Sequence, residues 1–307
     1  MARTSGRKVR RTLPAAVAAS LTALGLLVGC GGGSDDSGRA FGTTRSMSSA
    51  PRSAPTSPPA PSTPPPAGTT APPLASPTVP PPPPATPPPV PAADFPAFLR
   101  GQDVPVLPTS QKLVALTFDA GANSAGLPSI LATLRAKQLS ATFFLTGQWA
   151  AGNSAGVQSI RAAGHRVGNH SMNHPYFTSL STAQIGEQLN GAQRAIQEAG
   201  GDSRPLFRFP YGDRDPRTIA AVNDLGYLPV RWTVDTLGWK GTSGGLSAQQ
   251  VSDRAVGALQ PGAIVLMHIG SNPDDGTTLD ADALPGMIDR MSASGYSFVT
   301  LDTLLGH

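Results

Sequence analysis

The chain is 307 residues long, with 23 basic and 19 acidic side chains and a formal net charge of +4. That excess is local: Arg3, Arg7, Lys8, Arg10 and Arg11 precede any acid, and the remainder carries 18 basic against 19 acidic residues. A nearly neutral body argues against a nucleic-acid surface, and a single cysteine, Cys30, excludes an intrachain disulfide.

The basic run leads into an apolar stretch over residues 13–28. Together they have the form of an export signal, a charged n-region followed by an h-region. The stretch is short for a stable membrane span and carries Pro14. Leu27-Val28-Gly29-Cys30 resembles the bacterial lipoprotein cleavage box, so residues 1–29 are expected to be removed and Cys30 lipidated. The alternative is an incidental thiol at the end of a signal. Several acyl chains on Cys30 would hold the protein on a membrane stably, where one would be marginal.

Residues 30–94 read as a tether. Residues 31–50 are rich in Gly and Ser, and residues 51–91 hold 20 of the chain's 33 prolines. Such a segment has too few apolar side chains for a core and favours extended polyproline II, at about 3.1 Å per residue. Forty-one residues of it would reach roughly 120 Å. Residues 95–307 remain for one folded domain, enough for a single sizeable core.

In that domain apolar runs and helical periodicities alternate. Residues 112–118 predict a strand ending at Asp119, and 127–138 a helix with Leu127, Ile130, Leu131 and Leu134 on one face. A β-rich run at 141–145, a helix at 158–163 and a brief strand at 165–167 follow. Residues 182–199 form an amphipathic helix through Ile185, Leu189, Ala192 and Ile196, stopped by Gly200-Gly201. Further strands are predicted at 206–209, 228–234, 263–267 and 297–301, with helices at 216–225, 247–259 and 281–294 between them. About seven strands alternating with helices predict an α/β domain with a parallel sheet. No glycine-rich dinucleotide fingerprint follows the first strand, which favours a closed or distorted (β/α) barrel over an open doubly wound sheet. Asp119, His170, Arg208, Asp235 and His268 all fall at or just after carboxyl ends of predicted strands, where barrel enzymes keep their chemistry.

Five short segments carry candidate chemistry. His170 and His174, at i and i+4, would share one side of a helical turn and grip a divalent cation. A bare His-x3-His is equally a pair of solvated or core histidines. Asp119, followed by Gly121, reads as a general base, a metal ligand or a helix-capping loop residue. In Phe207-Arg208-Phe209-Pro210-Tyr211-Gly212, Arg208 could hold Asp119 ionised, and a backbone N–H near Tyr211 could face a developing oxyanion. A structural Arg208 neutralised by Asp213 or Asp215 is the alternative. His268 ends an apolar strand, where it could protonate a leaving amine. Trp232 and Trp239 could line a sugar cleft or pack in the core.

Taken together these segments resemble the polysaccharide deacetylase family with the NodB homology domain, carbohydrate esterase family 4. Thr117-Phe118-Asp119-Ala120-Gly121 is similar to the first motif, Thr-Phe-Asp-Asp-Gly, and His170-Ser171-Met172-Asn173-His174-Pro175 to the second. Arg208–Gly212, Asp235-Thr236-Leu237-Gly238-Trp239 and Leu266-Met267-His268 stand where the third, fourth and fifth do. The resemblance spans roughly residues 111–304 and implies a distorted (β/α) barrel that removes acetyl groups from N-acetylated sugars with a divalent metal, most often zinc, with cobalt or manganese as alternatives. It implies His170 and His174 as metal ligands, Asp119 as base, His268 as acid, Arg208 orienting Asp119, and the Tyr211 amide at the oxyanion. Asp235 would join the charge network and Trp239 the substrate cleft. The expected substrate is a cell-wall glycan, reached from a lipid anchor on the outer face of the membrane; no protein partner is indicated.

Two positions depart from the pattern. Ala120 removes the usual third metal ligand, and Gly238 replaces an Asp expected in the charge network around Arg208. A water, Asn123, or Asp119 itself could complete the metal's shell. The departures leave a second reading, a barrel that binds wall glycan without turnover, and a third, a hydrolase for another acyl or C–N bond.

Overall fold

The computed structural model describes residues 95–306. The expected export signal, Cys30 and the expected tether lie outside the described residues. Within them, eight strands and seven α-helices alternate. The strands are β1 (Leu113–Ala120), β2 (Thr142–Leu145), β3 (Arg166–Asn169), β4 (Leu206–Phe207), β5 (Leu228–Pro229), β6 (Val234–Asp235), β7 (Ala263–His268) and β8 (Ser297–Val299). The helices are α1 (Leu127–Ala136), α2 (Gly147–Gly152), α3 (Ser154–Ala162), α4 (Thr182–Glu198), α5 (Pro216–Asp224), α6 (Ala248–Gly257) and α7 (Leu279–Ala293).

All strand pairings within the sheet are parallel, in the order β5-β4-β3-β2-β1-β7-β6. β8 pairs the first half of β1 while β2 pairs its second half, so the two share one edge of that strand. The curled sheet is the distorted (β/α) barrel expected from the sequence. One strand expectation is corrected: residues 228–234 do not form a single strand. Leu228–Pro229 pairs with β4 at one edge of the sheet, and Val234–Asp235 pairs with β7 at the other. The chain between them crosses the gap, and Val104 and Val106 bridge it by pairing with Val230 and Ala263. A continuous apolar run reads as one strand because period alone carries no information about which edge each half meets.

Local chemistry explains the element ends. Ser181 and Gln184 form a capping box at α4, and Asp215 and Thr218 do so at α5, which also has Pro216 in its first turn. The helix α2, not predicted, starts at a Thr146 cap whose hydroxyl accepts the Trp149 N–H. Its glycines at both ends mask it in the sequence.

Strand alternation divides the interior. Val114, Leu116, Phe118 and Ala120 face the helices and join the outer core with Ile130, Phe143 and Met287. Ala115 turns inward and packs with Phe144, Leu206, Leu228, Ile264 and Leu301. Two residues further along the same face as Ala115 stands Thr117, which donates to the Val265 carbonyl at 2.6 Å, and then Asp119. The barrel is thus apolar at its amino end and polar at its carboxyl end.

Candidate active site

The expected site residues converge there. Asp119 lies near the end of β1, His170 directly follows β3, Arg208 directly follows β4, Asp235 ends β6 and His268 ends β7. Asp119 and His268 are register partners across the β1–β7 pair. Asp119, His170, His174, Tyr211, Asp235, Trp239 and His268 line one cavity of about 560 Å3, with Trp232 in its wall.

Arg208 organises one wall. It is fully buried, and its Nη1 donates to Asp119 Oδ1 at 2.8 Å. Nε and Nη2 donate to the Val230 and Arg231 carbonyls, and the guanidinium lies 4.2 Å from the Phe144 ring centre. Burial pushes the Asp119 carboxyl up, but the Arg208 charge, with His170 next, outweighs it and holds the group below its ordinary range. Asp213 and Asp215 are not the partners of Arg208: Asp213 accepts from Thr178, and Asp215 caps α5.

The histidine pair does not ride on a helix, contrary to the i, i+4 expectation. It sits in an irregular loop after β3, with left-handed backbone at Ser171 (φ 68°) and His174 (φ 63°). Asn169 Oδ1 accepts the Ser171 N–H, Ser171 Oγ accepts the His174 N–H, and Gln188 of α4 accepts from Met172 and Asn173. This bracing brings the two rings edge to face at 4.8 Å between centres. His170 Nδ1 lies 2.9 Å from the Arg208 carbonyl. A carbonyl only accepts, so Nδ1 carries the proton and Nε2 keeps its lone pair. That Nε2 stands 3.4 Å from Asp119 Oδ2. Arg208 therefore fixes Asp119 through its side chain and His170 through its backbone. Burial lowers the pKa of both histidines, His174 to about 4 with the His170 charge as second cause.

Two neutral imidazoles facing a cavity suit a divalent cation. Among the described residues no three His, Cys, Asp or Glu side chains form a closed metal cluster. Ala120 is fully buried in the outer core and lines no part of the cavity. Asn123 is not available as a replacement: its Oδ1 accepts from Ala125 and Ser271 and its amide donates to the Ser271 carbonyl.

The other wall carries His268, and aromatic rings line the mouth on both sides. Tyr211, left-handed at φ 59°, places its ring against His174 at 4.4 Å and in a stack with Tyr176 at 4.3 Å. Asp235 does not reach Arg208. Its carboxylate accepts the Leu237 N–H at 2.8 Å and faces the Trp239 indole N–H at 3.4 Å, steadying a rim residue that is 47 % exposed. Position 238, expected near Arg208, instead abuts Asp280. Asp280 is the residue the sequence reading missed; an Asp in the first turn of a helix has an ordinary capping explanation. Burial works against charge on His268, but Asp280, and then the Asp119 and Asp235 charges, raise its pKa above the ordinary histidine value.

Fold and site together define a parallel α/β barrel whose carboxyl mouth brings two imidazoles together with groups able to move protons. The model of the polysaccharide deacetylase family matches residues 107–230. The peptidoglycan-N-acetylglucosamine deacetylase PgdA of Listeria monocytogenes is 32% identical over 211 residues, 69% of this chain but 42% of that protein, so the chain spans under half its length. The peptidoglycan-N-acetylglucosamine deacetylase of Bacillus cereus is 30% identical over 197 residues, covering 64% of this chain and 70% of that one. A carbohydrate esterase family 4 pseudoenzyme from Bacillus anthracis matches with a TM-score of 0.57 at 33% identity, over 64% of this chain and 66% of that chain. The chain belongs to the polysaccharide deacetylase family, carbohydrate esterase family 4.

Proposed function

We propose that this protein is a metal-dependent hydrolase that removes N-acetyl groups from the sugars of peptidoglycan. The observation that carries the reading is the Asp119 carboxylate, held ionised by Arg208 at 2.8 Å and facing His170 across 3.4 Å, with His268 on the partner strand. The naming of relatives as peptidoglycan deacetylases supports the substrate class.

In this reading His170 and His174 hold the divalent ion, zinc in preference to cobalt or manganese, which would polarise the acetyl carbonyl and acidify a water. Asp119 takes a proton from the attacking water, and Arg208 keeps its carboxylate aimed and charged. The Tyr211 N–H receives the oxyanion that forms on the carbonyl. When the C–N bond breaks, His268 donates its proton to the departing amine, leaving acetate and a free amino sugar. Trp239, steadied by Asp235, and Tyr211 offer ring faces to the sugar.

Export on residues 1–29 and lipidation of Cys30 complete the proposal by holding the enzyme on the outer face of the membrane, with residues 30–94 as its reach into the wall. Incorporation of labelled fatty acid that is lost in Cys30→Ser tests that part.

A second reading, glycan binding without turnover, is favoured by two observations: Ala120 leaves the imidazole pair without its usual carboxylate partner, and a similar solved structure is a pseudoenzyme. Acetate release from peptidoglycan and from N-acetylglucosamine oligomers decides between them. The proposal predicts release by the native protein and not by Asp119→Ala; glycan binding with no release by either would establish the second reading.

A further inference from the structure

Asp280 is the second residue of α7 and only 3 % exposed, yet it belongs to none of the five motifs. Its Oδ1 accepts the Thr236 hydroxyl at 2.6 Å, and its Oδ2 accepts the His268 backbone N–H at 2.9 Å. The same Oδ2 lies 3.6 Å from His268 Nδ1. That ring nitrogen is buried and has no hydrogen-bond partner. Buried polar atoms in native proteins are rarely left so. A separation of 3.6 Å is longer than a formed hydrogen bond, yet it is within ion-pair range, and Nδ1 has no competing partner.

The space for this carboxylate comes from Gly238. A Cβ at that position would fall 2.3 Å from Asp280 Oδ1 and 2.5 Å from its Cγ, closer than side-chain atoms approach one another. Any side chain at 238 and the carboxylate of Asp280 therefore compete for one place. Asp235, the nearest acid in sequence, already accepts from Leu237 and faces Trp239.

We propose that Asp280 is the positioning residue for His268, and that glycine at 238 is the gap that admits its carboxylate into the cavity wall. The ring is then oriented from the start of α7 and not from the loop after β6. With Oδ2 accepting the Nδ1 proton, Nε2 faces the cavity. The cationic ring gives the Nε2 proton to a departing amine, returns to the neutral Nδ1–H form, and is reprotonated at Nε2 from solvent. What His268 does in turnover rests on the deacetylase reading; how Asp280 holds it is a property of the resting protein.

Two readouts on the full-length protein keep these apart. Long-range 1H–15N spectra of histidine-labelled protein report the tautomer of neutral His268. The Nδ1–H form is expected in the native protein, and a shift toward the Nε2–H form in Asp280→Asn, which keeps the side-chain shape and can still bond Thr236. An unchanged tautomer overturns the proposal whether or not the protein releases acetate. In turnover, Asp280→Asn is expected to lower kcat on the order of 100-fold with KM within about twofold. Moving the carboxylate, by Gly238→Asp in an Asp280→Ala background, is expected to recover at least about tenfold of the activity lost in Asp280→Ala alone, the range in which a supporting side chain acts. A kcat unaffected by Asp280→Asn, or no recovery on relocation in a folded protein, would contradict it.

Discussion

The two walls of the cavity each depart from the family pattern once, and in opposite ways. On the wall of β1, β3 and β4, the departure is a loss: Ala120 packs with Leu116 and Phe118 in the outer core, and Asn123, the candidate oxygen ligand from the following loop, is occupied elsewhere. On the wall of β6, β7 and α7, the departure is a relocation: glycine stands at 238, and the carboxylate of Asp280 fills the volume a side chain there would take. A missing motif residue thus has two physical meanings. One leaves the proposed metal site with fewer donors, and the other moves a charge onto a different element.

The comparison can be broken at its strongest point first. Arg208 is fully buried and each of its guanidinium nitrogens donates a hydrogen bond, so Arg208→Met would strand the Asp119 charge. We expect a loss of about 3–5 kcal/mol in stability, read from denaturant unfolding; a loss below 1 kcal/mol would show that this wall does not depend on the pair. On the other wall, Gly238→Ala forces a methyl group against Asp280, an overpacking expected to cost about 1–3 kcal/mol and to be relieved in the Asp280→Ala background. Equal cost in both backgrounds would separate the two positions.

The pH dependence sharpens the same contrast. His268 must be protonated to act as acid, and Asp280 with the Asp119 and Asp235 charges overcomes burial to raise its pKa above 6.5. Activity is therefore expected to persist through pH 6.5 and to fall only at higher pH, as the proton is lost. In Asp280→Asn the alkaline limb should move to lower pH, which a kcat/KM profile would reveal. The smallest effect belongs to the rim: Trp239→Ala should raise KM severalfold, in keeping with about 0.5–1.5 kcal/mol for an aromatic contact, with kcat little changed.

Much of the site was legible because strand ends announce it. Asp119, Arg208 and His268 each close an apolar run, and the parallel barrel brings such ends together. The histidine pair was legible as a pair but not in its geometry. Spacing suggests a helical turn, whereas Asn169, Ser171 and Gln188 brace a loop with two left-handed residues, bonds that periodicity does not encode. The split of residues 228–234 was hidden because both halves are apolar and only the tertiary edges differ. Asp280 was invisible for a related reason: nothing in Thr278-Leu279-Asp280 marks a contact with a residue 42 positions away at Gly238.

The central claim is that this barrel uses Asp119 and a metal on His170 and His174 to cleave an N-acetyl bond. Acetate release from N-acetylglucosamine oligomers by chelator-treated full-length protein, followed as zinc, cobalt or manganese is added, tests it most directly. The account predicts no release after chelation, recovery with metal in the native protein, and none in Asp119→Asn. Release that ignores the chelator, or that Asp119→Asn matches, would contradict it.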